Sequence, residues 1–256
     1  MWKAIRIGVL LFILATVAQG AWLARRDATD WKNPVIVVLY PINADGSERS
    51  EQYLGRMDLS RFEPMAGFMR EQARAYGVAV NDPIELRLAP RVRSLPPQPP
   101  APGNVAAAIV WSLHFRFWAW RHDTYTGARA HVRLFLMYHD DRKSPRLPHS
   151  TGLEKGLIGL VNVFANEEMS AANNVIIVHE MLHTLGATDK YDRVSNMPLF
   201  PDGYAEPQRM PALPQVYAEI MGGRIPIGSL RADQPEGLHQ VLIGRLTARE
   251  INWIAQ

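Results

Sequence analysis

The chain has 256 residues, of which 47% are hydrophobic and 21% charged, so it can form one large globular domain without covalent cross-links. It contains no cysteine, which excludes disulfide bonds and thiolate metal sites. The net charge of +3 comes from scattered arginines rather than a basic block, which disfavours nucleic-acid binding.

The first 26 residues differ from the rest of the chain. Lys3 and Arg6 precede an apolar stretch over residues 7–23, and small residues at 18–20 offer a cleavage site. This arrangement is typical of an export signal. The apolar stretch is also at the lower limit of length for crossing a bilayer. We therefore predict that residues 1–26 are a cleaved signal peptide or a retained membrane anchor.

Two strands and one helix are predicted next. Residues 34–40 are rich in β-branched side chains, and residues 84–92 alternate apolar with polar side chains, so both segments favour strands. Between them, apolar residues recur at helical spacing over residues 60–76. The pattern therefore predicts a strand–helix–strand order in this part of the chain.

A proline-rich segment over residues 95–103 is predicted to be a stiff, extended loop within the domain. Asn104 then caps a helix predicted to run to about residue 120. The helical spacing of its apolar residues predicts a buried face. That face is formed by Val105, Ile109, Leu113 and Phe117.

Two strands and two helices are predicted in the second half of the chain. The strands cover residues 130–138 and 157–165. A long helix is predicted over residues 167–185, with enough apolar side chains to bury it. Near the end, Thr247 and Glu250 have the spacing of a capping box and predict the start of a last helix.

The long helix carries the most informative motif, H-E-x-x-H-x-x-G-x-x-D, which runs from His179 to Asp189. On a helix, His179 and His183 project from one face, where both imidazoles can reach one metal ion. Glu180 lies beside them and can polarise a water bound to that ion. Gly186 allows the backbone to leave the helix, so that Asp189 can return as a third ligand.

The motif resembles the zinc-binding signature of the metzincin clan of metallopeptidases, H-E-x-x-H-x-x-G-x-x-H followed by a methionine turn. Asp189 stands where most metzincins have a third histidine, and snapalysin-type secreted proteases share that aspartate. Residues 217–223 supply a methionine turn, in which Met221 would form the hydrophobic floor beneath the ligands. The resemblance covers about residues 157–221 and does not extend to the region before Gly127.

The resemblance implies a zinc-dependent endopeptidase that acts in the cell envelope or outside the cell. Zn²⁺ would be held by His179, His183 and Asp189, with water in the fourth position. Glu180 would be the general base that assists the attack of this water on a peptide bond. Astacin-like and serralysin-like enzymes have a tyrosine two residues after the turn methionine, and Gly223 occupies that place here.

The expected fold is α+β, with a metzincin-like mixed sheet, an active-site helix, a methionine turn and a C-terminal helix in one domain over residues 27–256. In metzincins the strand before the active-site helix is a sheet edge that pairs with an extended peptide. Residues 157–165 match that position, so we expect the substrate to bind there by strand addition. A proline-rich loop is expected to wall the pocket for the residue after the scissile bond. Its prolines are Pro198, Pro201, Pro207, Pro211 and Pro214.

Two other interpretations remain open at this stage. A gluzincin-type peptidase would keep both histidines but use Glu219 as the third ligand. A non-catalytic envelope protein would bind zinc for structure or for a partner, although structural zinc sites usually have four protein ligands. Separate substitution of Asp189 and Glu219 distinguishes the first of these from the metzincin hypothesis, and substitution of Glu180 distinguishes the second.

Overall fold

A five-stranded mixed sheet forms the centre of the protein, and the computed structural model describes residues 2–100, 103–154 and 156–255. The sheet has the order β2-β1-β3-β5-β4, in which only β4 is antiparallel to its neighbour. Its strands are β1 (Val35–Asn43), β2 (Ile84–Leu88), β3 (Val132–His139), β4 (Thr151–Leu153) and β5 (Ile158–Phe164). The α+β class predicted from the sequence is confirmed.

Helices cover both faces of this sheet, and a smaller C-terminal region follows the fifth helix. The helices are α1 (Trp2–Thr29), α2 (Glu48–Gly55), α3 (Glu63–Ala75), α4 (Val105–Arg121), α5 (Ser170–Thr184) and α6 (Arg245–Glu250). The C-terminal region contains β6 (Ala218–Glu219), β7 (Ile225–Gly228), β8 (Arg231–Asp233) and β9 (Val241–Leu242), paired as β6–β9 and β7–β8. Short 3₁₀ turns cover Leu59–Phe62 and Leu238–Gln240.

The two faces of the sheet bury two separate apolar clusters. In β1, Val37 and Leu39 belong to one cluster, whereas Val38 and Tyr40 belong to the other. Successive side chains of a strand point to opposite faces, so a strand covered on both sides becomes a continuous apolar run. The first cluster includes side chains of α3 and α5, and the second includes side chains of α4. This double burial explains why β1 could be predicted from its composition.

The sheet fixes the position of α5, the helix that carries the H-E-x-x-H sequence. The Asn173 amide of α5 accepts a hydrogen bond from the Phe164 backbone N–H at 3.1 Å and donates one to the Phe164 carbonyl at 2.9 Å. At the other end of the helix, β4 passes so close that a Cβ atom on Gly152 would lie 2.5 Å from the His183 Cβ atom. Only glycine permits this approach.

Strand β5 is not the edge of the sheet, so the prediction that residues 157–165 form a substrate-binding edge is wrong. The three-residue strand β4 covers β5 and is itself the terminal strand on that side. Such a short segment has no alternating pattern long enough to predict a strand. The free edge nearest α5 therefore belongs to Thr151–Leu153.

The buried face predicted for α4 is also wrong. The helix buries Trp111, Phe115 and Ala119 instead, and its aromatic rings pack edge-on against Phe135 of β3. Both sides of α4 are apolar, so periodicity could not identify the side that faces the sheet. The side chains predicted to be buried are 58–73% exposed, namely Val105, Ile109, Leu113 and Phe117.

Residues 2–26 of the segment predicted as a signal or anchor lie in α1, which continues to Thr29, and residue 1 lies outside the described residues. The end of this helix belongs to the folded domain, because Ala28 is buried and Arg25 forms an ion pair with Glu154 at 2.5 Å. Within the described residues, no helix has both the length and the apolar character needed to cross a membrane.

The last helix does not begin with the predicted capping box. Helix α6 starts at Arg245 after Gly244, and Thr247 lies inside it with its side chain fully buried. The Thr247 hydroxyl donates a hydrogen bond to Glu219 at 2.6 Å, and Glu250 binds a different segment of the chain. Both side chains that the local pattern assigned to a cap therefore form hydrogen bonds with residues distant in the sequence instead.

Candidate metal centre

Two histidines of α5 face each other across one helical turn. The Nε2 atoms of His179 and His183 are 3.1 Å apart. The Nδ1 atom of each ring lies 2.8 Å from a backbone carbonyl oxygen, that of Ile220 for His179 and that of Ala187 for His183. A carbonyl oxygen only accepts hydrogen bonds, so each Nδ1 carries the hydrogen and each Nε2 presents its lone pair. This is the tautomer that a metal-ligating histidine needs.

The chain returns to the histidines after α5 ends. Gly186 has a φ of +109°, a conformation that L side chains rarely adopt, and the backbone turns there. Asp189 then places its Oδ1 atom 3.4 Å from Nε2 of His179 and 3.0 Å from Nε2 of His183. The three predicted ligands are therefore brought together around one point.

The spacing of these three atoms fits a tetrahedral zinc site. Ligands bound to zinc at about 2.0–2.1 Å in tetrahedral array lie roughly 3.3 Å from one another. The three distances here are 3.1, 3.4 and 3.0 Å. When each Nε2 carries its lone pair, the buried Oδ1 of Asp189 has no hydrogen-bond donor, which is costly for a carboxylate oxygen unless a cation lies beside it. The donor set of two imidazoles and one carboxylate is one that zinc favours.

The electrostatics of the cluster also favour a positive charge between the ligands. Burial acts to raise the pKa of Asp189, but both histidines lower it by more, so the net pKa lies well below its usual range. Burial acts to lower the pKa of His179, but Asp189 and Glu180 raise it by more. The same field that favours protonation of His179 would stabilise a bound cation.

Glu180 is buried beside the ligands. One of its oxygens lies within 4.8 Å of a ring nitrogen of each of His179 and His183, and its Oε2 atom has no hydrogen-bond partner. Burial raises the pKa of Glu180, while the neighbouring histidines and the backbone N–H of Gly152 lower it in part. A carboxylate with a raised pKa and a free oxygen is suited to accept a proton.

The segment predicted to be a methionine turn contacts His179 through its backbone. Met221 is fully buried and follows Ile220, whose carbonyl fixes the His179 ring. The turn is held by Glu219, whose Oε2 atom accepts the backbone N–H groups of Met221 at 2.6 Å and Gly222 at 2.7 Å. The other oxygen of Glu219 accepts the backbone N–H of Gly244 and the Thr247 hydroxyl. Both oxygens are therefore engaged away from the metal centre, which argues against Glu219 as a ligand.

Glu250 of α6 holds both residues that flank Asp189, a role that no sequence pattern predicted. Its carboxylate accepts the Thr188 backbone N–H at 3.0 Å and the Thr188 hydroxyl at 2.6 Å. It also pairs with the ammonium of Lys190 at 2.7 Å, and Lys190 is only 4% exposed. Glu250 therefore positions the segment that carries the third ligand.

We expect Glu250→Gln to weaken zinc binding about 10- to 100-fold, as is typical for residues that orient metal ligands. It should also lower the free energy of unfolding by about 1–3 kcal/mol, because the buried Lys190 loses its charged partner. Competition titration with a chelator and thermal unfolding measure the two effects. Glu63→Gln, at an exposed position at the start of α3, is the control. Zinc affinity equal to the unmodified protein, with stability reduced, would show that Glu250 has only a structural role.

Comparison with protein-family models and with curated proteins finds no match to this chain. The function must therefore be inferred from the geometry of the site and its surroundings.

A cavity of about 190 Å³ lies beside His179. Residues of α5 and of the methionine turn form most of its wall, together with two residues from the loop after Asp189. That loop contributes Tyr191 and Asn196, and none of the five prolines predicted to form the wall lines this cavity. The ring of Tyr191 has its centroid 6.4 Å from that of His179.

Proposed function

We propose that this protein is a zinc-dependent endopeptidase of the metzincin type, acting in the cell envelope or outside the cell. The observation that carries the proposal is the convergence of three donor atoms, from His179, His183 and Asp189, next to the buried, unpaired oxygen of Glu180. The mixed sheet, the methionine turn and the C-terminal helix are consistent with that clan. The basic and apolar N-terminal pattern supports export.

The substrate would bind in an extended conformation at β4. This strand is the terminal strand of the sheet, so one side of its backbone is available for pairing. A peptide added to that edge would run past α5, because Gly152 of β4 lies against His183 and the Glu180 carbonyl. Strand addition of this kind aligns a peptide through backbone hydrogen bonds and leaves side-chain specificity to neighbouring pockets.

The chemistry follows from the positions of the side chains. Zinc, when bound by the three ligands, would polarise the peptide carbonyl and increase the acidity of the attacking water. Glu180 would take a proton from that water and pass it to the leaving amine. Burial and the neighbouring Asp189 carboxylate raise the pKa of Tyr191 to about 12, so its hydroxyl stays protonated beside the site.

Metal analysis together with a peptide-cleavage assay tests the proposal. We expect about one zinc ion per chain, a higher unfolding temperature with zinc than without it, and cleavage within a mixed peptide library. A chelator should abolish cleavage and added zinc should restore it. A protein that binds zinc and cleaves no peptide would instead favour the non-catalytic interpretation.

A further inference from the structure

A long cleft extends from the metal centre along the N-terminal half of α5. The 190 Å³ cavity beside His179 adjoins a second cavity of about 810 Å³. The two meet at a shared wall of five residues: Val175, Ile176, Asn196, Gly223 and Arg224. Cavities of this combined size hold ligands larger than a single side chain. The cleft can therefore hold several residues of a peptide on one side of the scissile bond.

The charged side chains that line this cleft are positive. Arg224 lies where the two cavities meet, and Arg146 and His149 line the larger one. Neither cavity has an aspartate or glutamate among its lining residues. Within residues 2–100, 103–154 and 156–255, neither of these arginines forms an ion pair with a carboxylate. Many other arginines of the surface do form such pairs. The two guanidinium groups are therefore available to a ligand.

Hydrogen bonds hold the backbone directly before Arg224 and the backbone three residues after Arg146. Arg224 is half-buried and follows Gly223, whose N–H donates to the Glu219 carbonyl at 2.9 Å. Arg146 is exposed and lies three residues before His149, whose carbonyl accepts a hydrogen bond from the Asn162 side-chain amide at 3.0 Å. Arginines on fixed backbone lose less conformational freedom when they bind a carboxylate.

We propose that the substrates carry an acidic side chain in the stretch of peptide that occupies this cleft, bound between Arg224 and Arg146. This inference rests on the proposed function, because it names the substrate class of the same site. Guanidinium groups bind carboxylates through paired, charge-assisted hydrogen bonds. The neighbouring Val175 and Ile176 would contact the apolar part of the chain. Basic side chains in the same stretch would be repelled, so the cleft selects against them.

Peptide series that differ at one position test this selectivity. Each series carries Glu, Gln or Lys at successive positions on either side of the cleaved bond. On one side of the bond, we expect kcat/KM to fall in the order Glu, Gln, Lys. The difference between Glu and Gln should shrink at high salt, because a partly exposed ion pair is screened. Equal cleavage of the Glu and Lys peptides at every position would overturn the inference.

Variants of the two arginines identify the residues responsible. Arg224→Gln and Arg146→Gln should each lower kcat/KM for the Glu peptide about 5- to 30-fold and lower it much less for the Gln peptide. Arg129→Gln, at an exposed position in the loop between α4 and β3, is the control for a general loss of positive charge. A double variant that still prefers Glu over Gln would contradict the assignment to these arginines.

A binding measurement separates failure of this inference from failure of the proposed function. Fluorescently labelled Glu and Lys peptides are titrated onto the zinc-loaded Glu180→Gln protein, which cannot use its base. Tighter binding of the Glu peptide, reduced in the Arg224→Gln background, would support the inference even if no peptide were cleaved. Absence of cleavage by the unmodified protein contradicts the proposed function. Equal affinity of the Glu180→Gln protein for both peptides contradicts the acidic preference.

Discussion

Glu180→Gln is expected to lower the rate of peptide hydrolysis about 10²- to 10⁴-fold while zinc stays bound. The amide has the size of the carboxylate but cannot take a proton from water. Zinc should remain, because the ligand triangle is formed by His179, His183 and Asp189 without a contribution from Glu180. The measurements are kcat/KM on a cleaved library peptide and the zinc content of the same sample.

The control for this experiment is Glu168→Gln, which removes the charge of an exposed carboxylate just before α5. It should retain both zinc and activity. Full activity of Glu180→Gln would reject Glu180 as the base. Loss of zinc from Glu180→Gln would instead mean that its oxygen, which lies within 4.8 Å of both imidazoles, binds the ion directly.

The core of the candidate site could be predicted from the sequence because its geometry is local. Two histidines four residues apart on a helix must share a face, whatever surrounds the helix. Gly186 was a sequence signal for the turn that brings Asp189 back, and its positive φ is the physical reason that glycine stands there. These elements depend on at most eleven consecutive residues, so tertiary context had little opportunity to override them.

The parts of the site that were missed depend on contacts between distant segments. Glu250 reaches Thr188 from a helix 62 residues later, and no local pattern encodes that approach. Strand β4 has three residues and pairs only because β5 lies beside it. In the same way, the buried face of α4 is decided by Phe135 on the sheet, since both faces of the helix are apolar. Long-range packing, rather than propensity, determined each of these outcomes.

Asp189→Asn is expected to weaken zinc binding by at least about 100-fold. Residues that only orient a ligand typically contribute 10- to 100-fold, and a direct ligand should contribute more. The amide keeps the shape of the side chain but removes the negative charge that faces both Nε2 atoms at 3.0–3.4 Å. A neutral amide is also a poorer zinc ligand than a carboxylate. Competition against a chromogenic chelator gives the dissociation constant, and circular dichroism checks the fold.

Glu219→Gln is the matched comparison, because it makes the same chemical change at the rival third ligand. Its two oxygens accept four hydrogen bonds, from Met221, Gly222, Gly244 and Thr247, so an amide nitrogen would face donors at one of these places. We expect a loss of about 1–3 kcal/mol in the free energy of unfolding, with a much smaller change in zinc affinity than Asp189→Asn causes. If Glu219→Gln weakened zinc binding more than Asp189→Asn does, Glu219 rather than Asp189 would be the third ligand. The proposed peptidase would then be of the gluzincin type rather than the metzincin type.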